Sequence, residues 1–262
     1  MSESCYYFTF LLFVTGKGER EHLPKLFKEL TTSGICSFKV VEKIGQRRAI
    51  TSPRRIAKMV GKGQMLPSKD FEQIGAPARR HLQNAPCARL LLIDDLEGLD
   101  EADASAAFQR YRRALDEGLR EHKERAAVHF LVRMLEAYFF ADVEATNQAL
   151  ALDPPIPSYD QDVETTIEHP KSELKQQYFP QYREIEDSGK VLGQLSLNTV
   201  LASPERCASL RTCVKWIVEQ LMAYPTPNYV EQFSFDERFH LQTGQLYVVT
   251  ENQEITQHPG TD

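Results

Sequence analysis

Three groups of acidic residues stand where predicted β-strands end: Glu19 alone, then Asp94, Asp95 and Glu97 together, and then Glu136. The strands in question are the apolar stretches at residues 6–15, 89–94 and 129–132. Carboxylate oxygens are the ligands that Mg²⁺ and Mn²⁺ prefer, and a cation offsets the repulsion between clustered acids. The pattern therefore indicates a divalent-metal site, which could activate water or stabilise the oxygens of a phosphodiester.

Each acidic group has a simpler interpretation when it is taken alone. Glu19 could favour the positive end of the helix that follows it. The stretch DDLEG could be a solvated acidic turn, and EAYFFAD could be the start of an amphipathic helix. Three such groups after three strands favour a shared site over three unrelated turns.

The elements that would bring these acids together alternate between strand and helix. Further elements are predicted as a strand at 38–42 and helices at 70–84 and 102–125. Such alternation is typical of an α/β fold with a parallel or mostly parallel sheet. Sites in such sheets gather at the carboxyl ends of the strands, which is where the acids lie.

The chain has 262 residues, of which 42% are hydrophobic, so a packed core is expected. We predict a catalytic core at 1–150, a helical extension packed on it at 151–224, and a strand-like segment with a mobile tail at 225–262. A turn is expected within the extension at Ser188–Gly189. The apolar run near the start is too short to span a bilayer and is interpreted as a buried strand.

The five cysteines include no CxxC pair, so the sequence predicts neither a zinc site nor a disulfide framework. This pattern favours a reducing cytoplasm. Cys207 and Cys213 are predicted to lie in the core. The stretch GKG lacks the spacing of a nucleotide-binding P-loop.

A basic stretch at 39–63 could track phosphates beside the acidic centre, although the net charge is −6. The candidate nucleic-acid contacts in this stretch are Arg47, Arg48, Arg54, Arg55 and Lys58, with Lys171 further along the chain. Basic side chains of this kind position a nucleic acid without reading its sequence. The alternative is a solvated loop that balances the acidic surplus.

Five segments, in this order and spacing, carry a resemblance to TOPRIM-type proteins. VTGKGEREHLPKLF resembles their first motif, an E-G-x-x-E-like turn between strand and helix, and LLLIDDLEG resembles their second, D-x-D. HFLVRMLEAYFFAD, EHPKSEL with the segment around Tyr182, and CASLRTCVKWIVEQL resemble elements of an uncharacterised bacterial TOPRIM-like family.

The resemblance implies a TOPRIM-like α/β fold and divalent-metal phosphoryl chemistry on nucleic acid. Proteins of this type often look like effectors encoded beside an ATPase in antiphage defence loci. By position, Glu19 fits an acid of the first motif, Asp94 or Asp95 fits the D-x-D, and Glu136 fits the third motif. The implied metal ligands are Glu19, Asp94, Asp95 and Glu97, and the implied catalytic residues are Glu19, Asp95 and Glu136.

The chain departs from the motifs at two places. Thr15 stands where the first acid of E-G-x-x-E is expected, and Glu97 or Glu21 could replace the lost ligand. The register of the D-x-D is ambiguous between Asp94 and Asp95. A non-catalytic subunit that docks on an ATPase is therefore the alternative to a nuclease, and a small-molecule phosphohydrolase is a third interpretation.

The expected function is thus that of a metal-dependent endonuclease that uses Mg²⁺ or Mn²⁺ in the cytoplasm. By the resemblance it would be a regulated effector of an antiphage defence system, held inactive until a partner or signal releases it. The expected partners are a nucleic acid substrate, DNA or RNA, and an ATPase protein. No membrane association is expected, and self-association into a homo-oligomer is left open.

Overall fold

A four-stranded, all-parallel sheet forms the centre of the molecule. The computed structural model describes residues 4–45, 69–96 and 101–247, together with the backbone of two short strands at 59–60 and 64–65. The sheet has the strand order β2-β1-β5-β6. Its strands are β1 (Phe8–Val14), β2 (Cys36–Lys43), β5 (Ala88–Leu96) and β6 (Ala126–Val132), while β3 (Met59–Val60) and β4 (Gln64–Met65) pair separately.

Helices flank the sheet and make up the C-terminal extension. Those of the first half are α1 (Lys17–Leu26), α2 (Lys28–Thr31), α3 (Ala76–Leu82), which a π-helical turn at Phe71–Gly75 precedes, α4 (Glu101–Leu119), which a 3-10 turn at Arg120–Arg125 follows, α5 (Ala137–Ala141) and α6 (Val143–Leu150). Those of the second half are α7 (Val163–Thr166), α8 (Pro170–Glu173), which continues into a π-helical turn at Leu174–Tyr178, α9 (Glu184–Gln194), α10 (Leu197–Val200), α11 (Ala208–Leu221), α12 (Pro227–Glu231) and α13 (Phe235–Arg238). The predicted α/β class, with a parallel sheet, flanking helices and a helical C-terminal extension, is confirmed.

The register of the sheet brings the strand ends to one edge, with β5 and β6 extending three residues beyond β1. Val14 at the end of β1 lies opposite Lys43 of β2 and Ile93 of β5, and Ile93 lies opposite His129 of β6. Because all four strands run the same way, the residues that follow β1, β5 and β6 emerge at one edge of the sheet. β1 is buried along almost its whole length, as its apolar sequence predicts for an interior strand.

The extension packs on the core through α9, which lies against α1. Lys25 Nζ donates a hydrogen bond to the carbonyl of Gly189, and His22 Nε2 lies 2.7 Å from the carbonyl oxygen of Ile185. A Cβ atom added at Gly189 would lie 2.6 Å from His22 Cε1, so a larger residue there would force the His22 ring or the two helices to shift. The predicted turn at Ser188–Gly189 is therefore wrong, because Gly189 is a contact glycine inside α9.

Residues 225–262 also differ from the prediction. The chain forms α12 and α13 there, and residues 245–247 of the predicted strand-like piece are not in a strand. The rest of that piece and the predicted mobile tail lie outside the described residues. Arg211 of α11, which is fully buried, holds this region by donating hydrogen bonds to the carbonyls of Leu201, Ser203, Arg206, Phe239 and Gln245.

The cysteines give one further correction. Cys5 and Cys87 form a disulfide although they are 82 residues apart in sequence. They are brought together because they precede neighbouring strands, with Thr9 of β1 opposite Ala88 of β5. Cys207 and Cys213 are buried thiols, as predicted. In the described part of the chain no helix is both long enough and apolar enough to cross a membrane.

Candidate metal and phosphate site

A pocket of about 470 Å³ opens at the carboxyl edge of the sheet. Three of the predicted acids line it, each from a different strand end: Glu19 after β1, Asp95 at the end of β5 and Glu136 after β6. The predicted Lys171 lines it as well, together with Lys17, Lys43 and Glu184. Residues that are far apart in sequence therefore meet at the edge where the α/β topology places sites.

Glu19 lies in the first turn of α1, where its carboxylate folds back over the turn after β1. The side chain is only 8% exposed, and a Cβ atom at Gly16 would overlap Glu19 Oε2. Gly16 is therefore required for the carboxylate to lie there. Within the described residues, Glu19 Oε2 and Asp95 Oδ1 are both buried without a hydrogen-bond partner.

The electrostatics of Asp95 follow from this crowding. Burial raises the pKa of Asp95 well above its usual range, and the adjacent Glu19, Asp94 and Glu136 carboxylates raise it further. Glu19 is close enough to share a hydrogen bond with a protonated Asp95. The pair therefore requires either a proton or a cation between its oxygens.

Asp94 occupies the opposite side of the strand and is not among the residues that line the pocket. Its Oδ1 accepts hydrogen bonds from Thr15 Oγ1 at 2.6 Å and from the Asp95 backbone N–H at 3.0 Å. Its Oδ2 accepts one from the Tyr111 hydroxyl at 2.7 Å. Successive strand residues face opposite ways, so only one of the two aspartates can face the pocket.

This arrangement gives Thr15 a defined place. Thr15 stands where the resemblance expects an acid, and its buried hydroxyl holds Asp94 instead of lining the pocket. The role open to Asp94 is to fix the end of β5 against β1 and α4, and so to fix the position of Asp95.

Glu136 is 5% exposed and accepts a hydrogen bond from the Tyr182 hydroxyl at 3.1 Å. Burial raises its pKa, while the positive charge of Lys171 opposes the shift. Lys171 in turn forms an ion pair with Glu184 at 2.8 Å. Side chains of the extension therefore complete the pocket.

Several predicted site residues cannot be placed. Glu97, Arg47, Arg48, Arg54, Arg55 and Lys58 lie outside the described residues. Five of them belong to the basic stretch at 39–63, whose earlier part includes the pocket residues Lys43 and Gly45.

Sequence reasoning missed Lys43, Lys17 and Glu184 as pocket residues. Lys43 ends β2, so the rule that led to the acids also applies to it, but the acid beside it, Glu42, pairs with His81 and does not line the pocket. Lys17 belongs to GKG, which lacks the spacing of a P-loop and carries no other local signal of a site. Glu184 enters from α9, and no local pattern indicates that α9 reaches the strand ends.

The donor set fits a hard cation. Within residues 4–45, 69–96 and 101–247, no three His, Cys, Asp or Glu side chains are arranged so that together they could hold a metal ion. Mg²⁺ usually takes one or two carboxylates and fills its remaining positions with water and substrate phosphate oxygens. The two unpartnered oxygens, Glu19 Oε2 and Asp95 Oδ1, match that demand in number and in chemistry.

Comparison with known proteins places the chain in a family without giving it an activity. No curated protein and no solved structure matches the sequence. One family model matches residues 14–215, a span that runs from the end of β1 into α11 and includes every pocket residue named above. The chain therefore belongs to the family described as a domain of unknown function, DUF4276.

Proposed function

We propose that the protein is a divalent-metal-dependent nuclease that hydrolyses phosphodiester bonds in DNA or RNA. The observation that carries the proposal is the buried Glu19–Asp95 pair, in which one oxygen of each carboxylate has no hydrogen-bond partner among the described residues. Two adjacent buried carboxylates destabilise the folded protein. We infer that the pair is retained because it binds a catalytic cation.

Glu19 and Asp95 would hold the cation. When bound, Mg²⁺ or Mn²⁺ lowers the pKa of water and stabilises the oxygens of a phosphodiester in the transition state. Glu136 lies across the same pocket, where its carboxylate would orient the attacking water or accept its proton. Burial raises the pKa of Glu136 above its usual range, which makes the carboxylate a better proton acceptor.

The lysines supply the positive charge that a polyanionic substrate needs. Lys17, Lys43 and Lys171 line the pocket from three different elements, and each could contact a phosphate oxygen beside the metal. The basic stretch after Gly45 would extend this contact along the backbone of the nucleic acid. Phosphate contacts of this kind position a strand without selecting its sequence.

One observation favours a second candidate, a non-catalytic subunit that docks on or regulates an ATPase. Thr15 replaces an acid and is engaged with Asp94, so the pocket has one carboxylate fewer than the resemblance implies. In this alternative the pocket would bind a cation or phosphate without turnover. The association with an ATPase and with antiphage defence, in either case, is a proposal that comes from the resemblance alone.

The proposed compartment is the cytoplasm, where nucleic acid and an ATPase partner would be present. The Cys5–Cys87 disulfide opposes this compartment, because a reducing cytoplasm favours thiols.

The test is cleavage of single- and double-stranded DNA and RNA by the purified chain with Mg²⁺ or Mn²⁺. Glu19→Gln and Asp95→Asn are compared with Glu144→Gln, which changes an exposed acid outside the pocket. A metal-bound oxygen contributes several kcal/mol to the transition state, so each pocket variant should lose at least ~100-fold in rate. Equal cleavage by all four proteins would exclude the assignment of these residues, and metal binding without cleavage by the wild type would favour the second candidate.

A further inference from the structure

The turn that leads from β6 to Glu136 has a strained backbone. Arg133 and Met134 are consecutive and both lie in the left-handed region, with φ of 61° and 79°. Neither is glycine, so each is expected to cost about 1–3 kcal/mol. Met134 itself lines the pocket, and Glu136 comes two residues later. Strain at this point indicates that the chain is held in an unfavourable conformation in order to aim Glu136.

A buried chain of hydrogen bonds reaches Glu136 from α9. The Tyr182 hydroxyl donates to Glu136 Oε1 at 3.1 Å, and Ser188 Oγ lies 2.5 Å from the same hydroxyl. A tyrosine hydroxyl has only one proton, and Tyr182 donates it in the hydrogen bond to the Glu136 carboxylate. Ser188 must therefore donate its own hydroxyl proton to the tyrosine oxygen. All three side chains are at most 5% exposed.

Tyr182 does not line the pocket, and its hydrogen bond to a pocket residue is the one to Glu136. Its hydrogen bond holds one oxygen of a carboxylate that lines the pocket. Without it, a buried carboxylate on a flexible side chain would be free to change rotamer. The α1–α9 contact, which includes the close approach of Gly189 to His22, keeps Ser188 and therefore Tyr182 in place.

From this geometry we propose that Tyr182 and Ser188 are positioning residues that hold Glu136 in its catalytic orientation. The helical extension is then part of the active site and not an appendage to it. The inference rests on the proposed nuclease function, because that function gives the orientation of Glu136 its importance.

The experiment measures metal-dependent cleavage by Tyr182→Phe, Ser188→Ala and the matched control Tyr159→Phe. The Tyr159 hydroxyl also makes a hydrogen bond within the extension, to Thr166 at 2.9 Å, but away from the pocket. Loss of a residue that orients an active-site group typically costs about 10–100-fold. We expect Tyr182→Phe to lower kcat by that factor with KM nearly unchanged, Ser188→Ala to lower it less, and Tyr159→Phe to match the wild type.

A double-mutant cycle separates positioning from a merely structural role. If Tyr182 acts through Glu136, then Tyr182→Phe should cause no further loss in a Glu136→Gln background. Additive losses in the double mutant, or a Tyr182→Phe rate equal to that of Tyr159→Phe, would overturn the positioning role. Cleavage by the wild type that Glu19→Gln abolishes would leave the proposed function intact in either case.

Crystal structures of the wild type and Tyr182→Phe give a readout that needs no activity. The proposal expects the Glu136 carboxylate to leave its wild-type position or to become disordered in the variant. An unchanged, well-ordered Glu136 in the variant would overturn the positioning role, whether or not the wild type cleaves nucleic acid. Absence of cleavage by the wild type would separately refute the proposed function.

Discussion

Asp94 and Asp95 are adjacent and chemically identical, yet the structure predicts opposite effects when each is changed to asparagine. Asp95 interacts with the Glu19 carboxylate and its Oδ1 has no hydrogen-bond partner in the described residues, whereas Asp94 accepts three hydrogen bonds. Above about pH 4 the Asp95 carboxyl is ionised in the unfolded chain. Because its pKa is raised in the folded state, Asp95 must either take up a proton on folding or stay ionised beside the Glu19 carboxylate, which is unfavourable. This cost is absent at low pH and increases as the pH rises.

The size of each effect follows from these contacts. In Asp95→Asn the amide can donate to Glu19 Oε2, and a hydrogen bond to a charged group is worth about 1.5–3 kcal/mol. After loss of side-chain freedom we expect the free energy of unfolding to rise by about 1–2 kcal/mol, or ~2–8 °C in Tm. In Asp94→Asn one of the three donors loses its carboxylate acceptor, which should lower the free energy of unfolding by about 1–3 kcal/mol.

The assay is thermal and urea unfolding of the metal-free proteins in EDTA at pH 7.5, followed by circular dichroism. Adding Mg²⁺ should then stabilise the wild type, by about 2.7 kcal/mol at 100 times Kd, and should not stabilise Asp95→Asn. Shifts of the same sign for the two variants in EDTA would refute the reasoning, because they would mean that Asp95 is not under electrostatic strain.

Three further predictions concern the fold that holds the site. Burial lowers the pKa of His129 to about 3, so the folded state loses stability as the pH falls below 6.5, by about 2.7 kcal/mol at pH 4.5. His129→Leu should therefore move the midpoint of acid unfolding to lower pH, as measured by fluorescence of the only tryptophan, Trp216. An unchanged midpoint would contradict this prediction. Gly189→Ala should lower the free energy of unfolding, measured in urea, by about 1–3 kcal/mol because its Cβ would meet the His22 ring. Gly193→Ala in the same helix should be neutral or stabilising, because an added Cβ there has no atom within 4 Å. Equal effects of the two substitutions would rule out the close α1–α9 contact. Arg211→Lys should lower the free energy of unfolding by at least about 3 kcal/mol, since an ammonium group cannot donate hydrogen bonds to all five carbonyls. A loss below about 1 kcal/mol in urea unfolding would show that these hydrogen bonds contribute little to stability.

The sequence was sufficient to predict the sheet and the edge at which the acids gather. Apolar stretches that alternate with helical ones leave few alternatives to a parallel sheet, and in such a sheet the strand ends meet. Glu19, Glu136 and one member of the Asp94–Asp95 pair follow from that topology alone. The choice between Asp94 and Asp95 does not, because alternation along β5 separates the two side chains but gives no indication of which face the pocket lies on.

The features that the sequence did not reveal depend on long-range contacts. Gly189 has the local signature of a turn, and only the proximity of His22 explains why it lies inside a helix. Cys5 and Cys87 carry no spacing signal, because their pairing arises from the order of the strands. The link from Ser188 through Tyr182 to Glu136 likewise requires the docked position of α9.

The central claim is that Glu19 and Asp95 together bind a divalent cation, and calorimetric titration with Mn²⁺ tests it most directly. We expect binding by the wild type and by Glu144→Gln, and no measurable binding by Glu19→Gln or Asp95→Asn. Because the pKa of Asp95 is raised, binding should also release a proton, which is seen as a dependence of the heat on the ionisation enthalpy of the buffer. Wild-type binding that both pocket variants retain, or no binding by any of the four proteins, would contradict the claim.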